Sequence, residues 1–167
     1  PQYNPYEYDI SEFTKSDSSL LCYKETKTIP VEMTEVQGIA TDFKRRIYVS
    51  GDSEIQIFDK VGEKVSTFPL PEMARCVSAH ADGYIFAGMK NSIGIFDFAG
   101  NEAGTIFCPD TSSYITSIAA VDSSVFVADA GNKIVYHYLR SGQLLNTIGA
   151  KDSVNGIRGF VIPSPCF

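Results

Sequence analysis

Apolar residues in this chain come in short runs cut by Asp, Gly, Asn or Ser, and no window sustains a helical period. Three runs, at 36–41, 76–81 and 116–121, each stop at an aspartate: Asp42, Asp82 and Asp122. A short turn follows each, then a second run at 47–49, 84–86 and 125–127. Third runs lie at 55–58, 93–96 and 134–138. A turn holding Gly62, Gly100 or Gly142 then leads to a fourth run at 64–70, 103–107 and 144–148. Runs this short, rich in Val, Ile, Phe and Tyr, predict strands. The unit of four repeats at a period of about 40 residues.

Four strands at that period predict an all-β chain built of β-propeller blades, each a sheet of four antiparallel strands. The three full blades are expected at about 35–71, 75–110 and 115–150. A sheet between two neighbouring blades buries both faces, which accounts for the unbroken apolar stretch Ile118-Ala119-Ala120-Val121. Small residues near each first strand suit the crowding where blades converge. Residues 20–25 and 28–31 read as two outer strands of a partial blade over 20–31, preceded by an N-terminal arm, 1–19. Residues 159–167 read as the start of a further blade. A closed propeller needs about four to eight blades. The remaining blades, or another copy of the chain, are therefore expected as partners, because open sheet edges invite pairing.

The third unit carries a family resemblance. Val125-Phe126-Val127-Ala128-Asp129-Ala130-Gly131-Asn132-Lys133-Ile134 resembles the core of an NHL repeat, in which an apolar strand runs into Ala-Asp, a small residue, Gly-Asn and a basic residue. Gly142, Thr147-Ile148-Gly149, and Gly159-Phe160 leading to Pro163 fit the same pattern. The first two units are looser, with Gly51-Asp52-Ser53-Glu54 and Gly88-Met89-Lys90-Asn91 in place of that core. The resemblance spans roughly residues 34–165 and implies a six-bladed propeller in the intact protein. It also implies two classes of function. One is a non-catalytic scaffold; the other is a metal-assisted hydrolase or lyase working in the channel.

Composition narrows the partners. Hydrophobic residues make up 44% of the chain and charged residues 20%, which are globular proportions. The net charge of -6 repels phosphate backbones, so nucleic acid is not expected. The densest basic cluster, Lys44-Arg45-Arg46, reads as a solvated turn. No run reaches the roughly 18 apolar residues of a membrane helix. Cys22, Cys76, Cys108 and Cys166 are scattered, without metal or disulfide-scaffold spacing, and read as small buried hydrophobes. The polar, Tyr-rich start, without an initial Met, reads as a mature arm and leans toward export.

Candidate chemistry is sparse. Under an even 40-residue period His80 aligns with Ala40 and Ala120, which would put it on an inner strand near the axis, as a possible channel ligand. Glu35, Arg75 and Ile115 align just before their inner strands, at the end where propeller loops meet ligands. Glu35 and Arg75 would face each other or a ligand, and Tyr114 would add a stacking surface. The predicted binding set is thus His80, Arg75, Glu35 and Tyr114, for a protein or saccharide ligand. No catalytic residue, metal set or cofactor is predicted. The repeated aspartates, and Asp129, read as caps that accept backbone hydrogen bonds. His137, between Tyr136 and Tyr138, lies away from the axis. There is no Gly-x-Ser-x-Gly and no phosphate loop. A ubiquitin-ligase recruiting module would carry RING or coiled-coil segments, and the sequence shows neither.

Overall fold

The computed structural model describes residues 18–20 and 22–160. The chain divides into two compact units, Pro1–Pro30 and Val31–Phe167. In the first, the described residues form one 3-10 turn at Ser18–Leu20 and otherwise irregular backbone.

The described residues of the second unit form twelve strands. The first sheet has β1 (Val36–Thr41), β2 (Ile47–Gly51), β3 (Glu54–Phe58) and β4 (Lys64–Pro69). The second has β5 (Cys76–Ala79), β6 (Ile85–Gly88), β7 (Ser92–Phe96) and β8 (Glu102–Phe107). The third has β9 (Ile115–Val121), β10 (Ser124–Asp129), β11 (Ile134–Leu139) and β12 (Leu144–Ile148). Each is a meander in which sequence neighbours pair antiparallel. The described residues contain no α-helix.

The three sheets share one construction. Between the third and fourth strands the register shifts at Ile57/Phe58, Ile95/Phe96 and His137/Tyr138. Each shift precedes a turn closed by a glycine with φ near 90°, Gly62, Gly100 or Gly142, a backbone region that L side chains rarely adopt. Asp59 and Asp97 start two of these turns, each carboxylate accepting two backbone N–H bonds. Aligning the blades on this shift makes Thr41, Ala79 and Ala120 equivalent, because they pair with the equivalent Ile47, Ile85 and Val125.

The sheets pack face on face. Tyr48, Ile55, Ile57 and Phe68 of the first meet Val77, Ile85, Ala87 and Phe96 of the second. Phe86, Ile93, Ile95 and Ile106 of the second meet Ile115, Ile118, Val125 and Tyr138 of the third. Two glycines admit a close approach between sheets. A Cβ on Gly38 would lie 2.9 Å from the Cα of Cys76, and one on Gly88 would lie 2.9 Å from Cγ2 of Ile115. The middle blade is therefore buried on both faces: β6 and β7 are buried throughout.

Four expectations need correcting. Residues 20–25 and 28–31 form no strand among the described residues; an apolar run without a ladder partner leaves its backbone polar groups to water. Among the described residues the third blade is covered on one face only, so Ala119 and Val121 are exposed and β10 alternates between buried and half-buried. Cys76 and Cys108 are buried as expected, but Cys22 is exposed. Asp42, Asp82 and Asp122 are not equivalent. Asp42 accepts the Arg46 N–H at 2.9 Å, as expected of a cap, and also holds the Arg46 guanidinium and the Tyr48 hydroxyl, whereas Asp82 pairs with Arg140 and Asp122 sits in a two-residue turn at φ 52°. The arm over 1–17, Cys166 and most of 159–167 lie outside the described residues.

Candidate functional site

Antiparallel order puts the segments that lead into β1, β5 and β9 at one end of the sheets, together with the β2–β3, β6–β7 and β10–β11 turns. The β1–β2, β5–β6 and β9–β10 turns lie at the other end. This division decides which of the predicted residues meet.

Arg75 and Tyr114 meet. The Arg75 guanidinium lies 3.8 Å from the centre of the Tyr114 ring, close enough for a strong cation–π stack. Its Nη1 is buried and has no hydrogen-bond partner. Its backbone N–H donates to the Gly88 carbonyl at 2.8 Å, which anchors the residue at the top of β5. Tyr114 is 48% exposed, so the far face of its ring is open.

A buried carboxylate sets the Tyr114 backbone. Asp129, 1% exposed at the end of β10, accepts the Tyr114 N–H at 2.9 Å, the Asn132 N–H at 3.2 Å and the Asn132 amide at 2.9 Å. Burial alone would push its carboxyl up, but these bonds and one from the Ser113 hydroxyl outweigh it and hold the carboxyl below its ordinary value. Gly131 lets the loop come in: a Cβ there would sit 2.6 Å from the Ser112 carbonyl oxygen. The first blade repeats the device one residue later. Asp52 accepts the N–H groups of Thr34 (2.5 Å) and Glu35 (2.8 Å), and these bonds lower its carboxyl pKa. The second blade has Met89 at this place and no such cap.

Glu35 thus sits at the same end as Arg75, but its backbone is what the fold holds. It is exposed, and it forms no ion pair with Arg75. Beside Arg75, the buried Cys76 thiol is pushed up to about 11 by burial.

His80 does not join this group. It follows β5 directly, in the place of Asp42 and Val121, so it starts the β5–β6 turn at the opposite end. The even period misplaced it because the connection from β4 to β5 is shorter than the one from β8 to β9, so the equivalent Thr41, Ala79 and Ala120 are unevenly spaced. It is 6% exposed, its Nδ1 accepts the Asp82 N–H at 3.2 Å, and its ring meets Phe86 edge-on at 6.4 Å. Asp82 also pairs with Arg140 at 2.5 Å, which crosses from the third blade and lies 5.2 Å from the Tyr84 ring. That inter-blade cluster was not anticipated, since nothing in the local sequence joins residues 82 and 140. Among the described residues no three His, Cys, Asp or Glu side chains converge as a metal site would require.

No family model and no curated protein matches the sequence. Solved structures do match in shape. A streptogramin B lyase superposes with a TM-score of 0.61 at 19% identity, over 71% of this chain and 42% of the other. Virginiamycin B lyase from Staphylococcus aureus gives 0.60 at 16% identity, with the same coverage of both chains. The Pan2 WD40 domain of Neurospora crassa gives 0.55 at 14% identity, over 72% of this chain and 42% of that one. This chain thus spans about two fifths of the length of each. Enzymes and a WD40 domain fit it about equally well, so the likeness speaks for architecture alone. The three sheets are blades of a β-propeller.

Proposed function

We propose that the chain is part of an NHL-type propeller that serves as a non-catalytic binding scaffold, with its ligand at the loop end beside Arg75 and Tyr114. The observation that carries this reading is the Arg75–Tyr114 stack with an unpartnered Nη1. A guanidinium stacked on a ring keeps its edges free for a planar acceptor, and carboxylates match that geometry best. The favoured ligand is a protein segment that presents a carboxylate; a neutral saccharide would use only the Tyr114 face. The NHL part of the reading is supported by the Asp129-Ala130-Gly131-Asn132 turn, where each motif residue has a physical task. Asp129 caps the loop, Gly131 admits it, and Asn132 ties back to Asp129. The rival channel enzyme drew on an axial His80. With His80 at a turn of the opposite end, no observation favours it over the scaffold.

Calorimetric titration of the full chain with an acidic tetraglutamate peptide and with neutral maltotetraose tests this. The peptide should bind, more weakly as salt rises. Arg75→Met should abolish the heat, and Tyr114→Ala should weaken it about tenfold, in keeping with a cation–π stack worth about 1 kcal/mol or more. Glu35→Gln should leave binding equal or tighter. Absence of peptide binding, or binding indifferent to Arg75→Met, overturns the proposal. Saccharide binding lost only in Tyr114→Ala would replace the ligand class.

A further inference from the structure

At the end that carries the β1–β2 and β5–β6 turns, both inter-blade contacts use the same pair of positions with the chemistry reversed. The two turns have one construction. The Asp42 and His80 N–H groups donate to the Arg46 and Tyr84 carbonyls, and the Arg45 and Gly83 N–H groups donate back to the Asp42 and His80 carbonyls. Arg46 and Tyr84 are therefore equivalent, each directly before the equivalent Ile47 and Ile85. The turns after β7 and β11 are alike as well. Gly100 donates to Asp97 and Gly142 to Leu139, which makes Phe98 and Arg140 equivalent. Across the first interface, the Arg46 guanidinium of the first blade lies 4.3 Å from the centre of the Phe98 ring of the second. Across the next, the Tyr84 ring of the second blade lies 5.2 Å from the Arg140 guanidinium of the third. Cation and ring have exchanged sides. Each arginine is also held by a carboxylate: Asp42 holds Arg46 at 2.7 Å within its own turn, and Asp82 reaches across to Arg140 at 2.5 Å.

We infer that this reversal fixes the order in which the blades dock. The faces that meet are built of similar apolar residues, Ile, Val, Phe and Tyr above all. Apolar burial is non-directional, so it discriminates weakly between such neighbours. The pair at the turns supplies the discrimination by opposing wrong partners. The first blade seated on the third would bring Arg46 against Arg140. Two first blades, in an exchange between copies, would bring Arg46 against Lys60, which holds the place of Phe98. Two second blades would set Tyr84 on Phe98 and leave Asp82 without its cation. The sequence order alone puts a cation on a ring at both interfaces and keeps Asp82 paired. These contacts lie at the end opposite Arg75 and Tyr114, so the inference does not depend on the ligand site there.

Urea unfolding and refolding of the full chain, with light scattering on the refolded product, tests both halves of the inference. Tyr84→Arg sets two arginines together and should raise the unfolding equilibrium constant about tenfold or more. Adding Arg140→Phe copies the first interface onto the second and should bring the constant back to within about threefold of the original. With a ring at position 140, however, Arg46 accepts the third blade as readily as the second. The double variant should therefore refold at about 50 µM with at least about twofold less of the original species, the rest appearing in a slow phase or as exchanged oligomers. Tyr84→Phe, which keeps the polarity, should refold as the original chain does. No loss on Tyr84→Arg, or a loss that Arg140→Phe fails to recover, overturns the pair. A double variant that is stable and refolds as cleanly as the original overturns its role in ordering the blades.

Discussion

Removing the Asp129 carboxylate tests how the loop end is held. Three N–H groups point at it, from Tyr114, Asn132 and the Asn132 side chain, at 2.9, 3.2 and 2.9 Å. Hydrogen bonds to a charged group contribute about 1.5–3 kcal/mol each, and a buried donor left without a partner costs about 1–3 kcal/mol. The 3.2 Å bond belongs near the bottom of that range, and water will reach part of the vacated site. Asp129→Ala should therefore cost about 3 kcal/mol, and Asp129→Asn, which keeps one acceptor oxygen, about half that. Urea unfolding at pH 7 reads this as a midpoint lowered by roughly 1.5 M for the Ala variant, if the slope is about 2 kcal/mol/M. Hydrogen exchange should show the Tyr114 amide losing protection first. A loss under about 0.5 kcal/mol, or unchanged protection at Tyr114, would refute the view that this carboxylate holds the loop. The pH dependence adds a sign. The folded Asp129 carboxyl lies below its unfolded value, so its contribution is complete above about pH 4 and fades as pH falls through the folded pKa. Both variants should flatten the acid limb of the stability curve.

Further outcomes follow from other contacts. Gly88→Ala should cost about 1–3 kcal/mol, since its Cβ would strike Cys76 Sγ and Ile115 between the second and third blades; a neutral midpoint in urea would show that the blades can part. Asp42→Asn should lower stability at neutral pH and weaken its dependence on pH below about 4. Burial pushes that carboxyl up, but the bonds from Arg46 and Tyr48 outweigh it and leave it low, so unchanged acid unfolding would count against the pair. The Tyr48 phenol, pushed up to about 12 by burial and by Asp42, should stay un-ionised when tyrosine absorbance is titrated to pH 11; early ionisation there would contradict the packing. In a Cys166→Ser background a thiol reagent should label Cys22 at once, and Cys76 and Cys108 only on unfolding.

The strands were legible because each is a short apolar run bounded by turn residues, and runs such as 36–41 and 144–148 coincide with β1 and β12. That Glu35, Arg75 and Tyr114 lead into first strands at one end was legible too, but the stack of Arg75 on Tyr114 was not: the sequence offered Glu35 or a ligand as the partner of Arg75. What failed was the assumption of an even period. Asp42, Asp82 and Asp122 are evenly spaced, yet the equivalent Thr41, Ala79 and Ala120 are not, because the β4–β5 connection is shorter than the β8–β9 one, and an even count carried His80 past the end of β5. Pairing fixes equivalence in a sheet, and sequence counting cannot see a change in turn length. Residues 20–25 illustrate a second limit: an apolar run becomes a strand only when another strand lies beside it. The Asp82–Arg140 contact shows a third, because it depends on the packing of two blades.

The meander order has a consequence for how the chain acquires its structure. Every ladder joins strands that are consecutive in sequence, so each sheet can form without closing a long loop. Long-range contacts enter only when one finished sheet lies down on the next. The middle blade takes part in both of those events, since its two faces hold the two apolar clusters together. Damage to β6 or β7 should thus slow the docking of both neighbours, whereas damage to β3 or β11 should be felt on one side alone, the behaviour of a one-dimensional array with a single shared link.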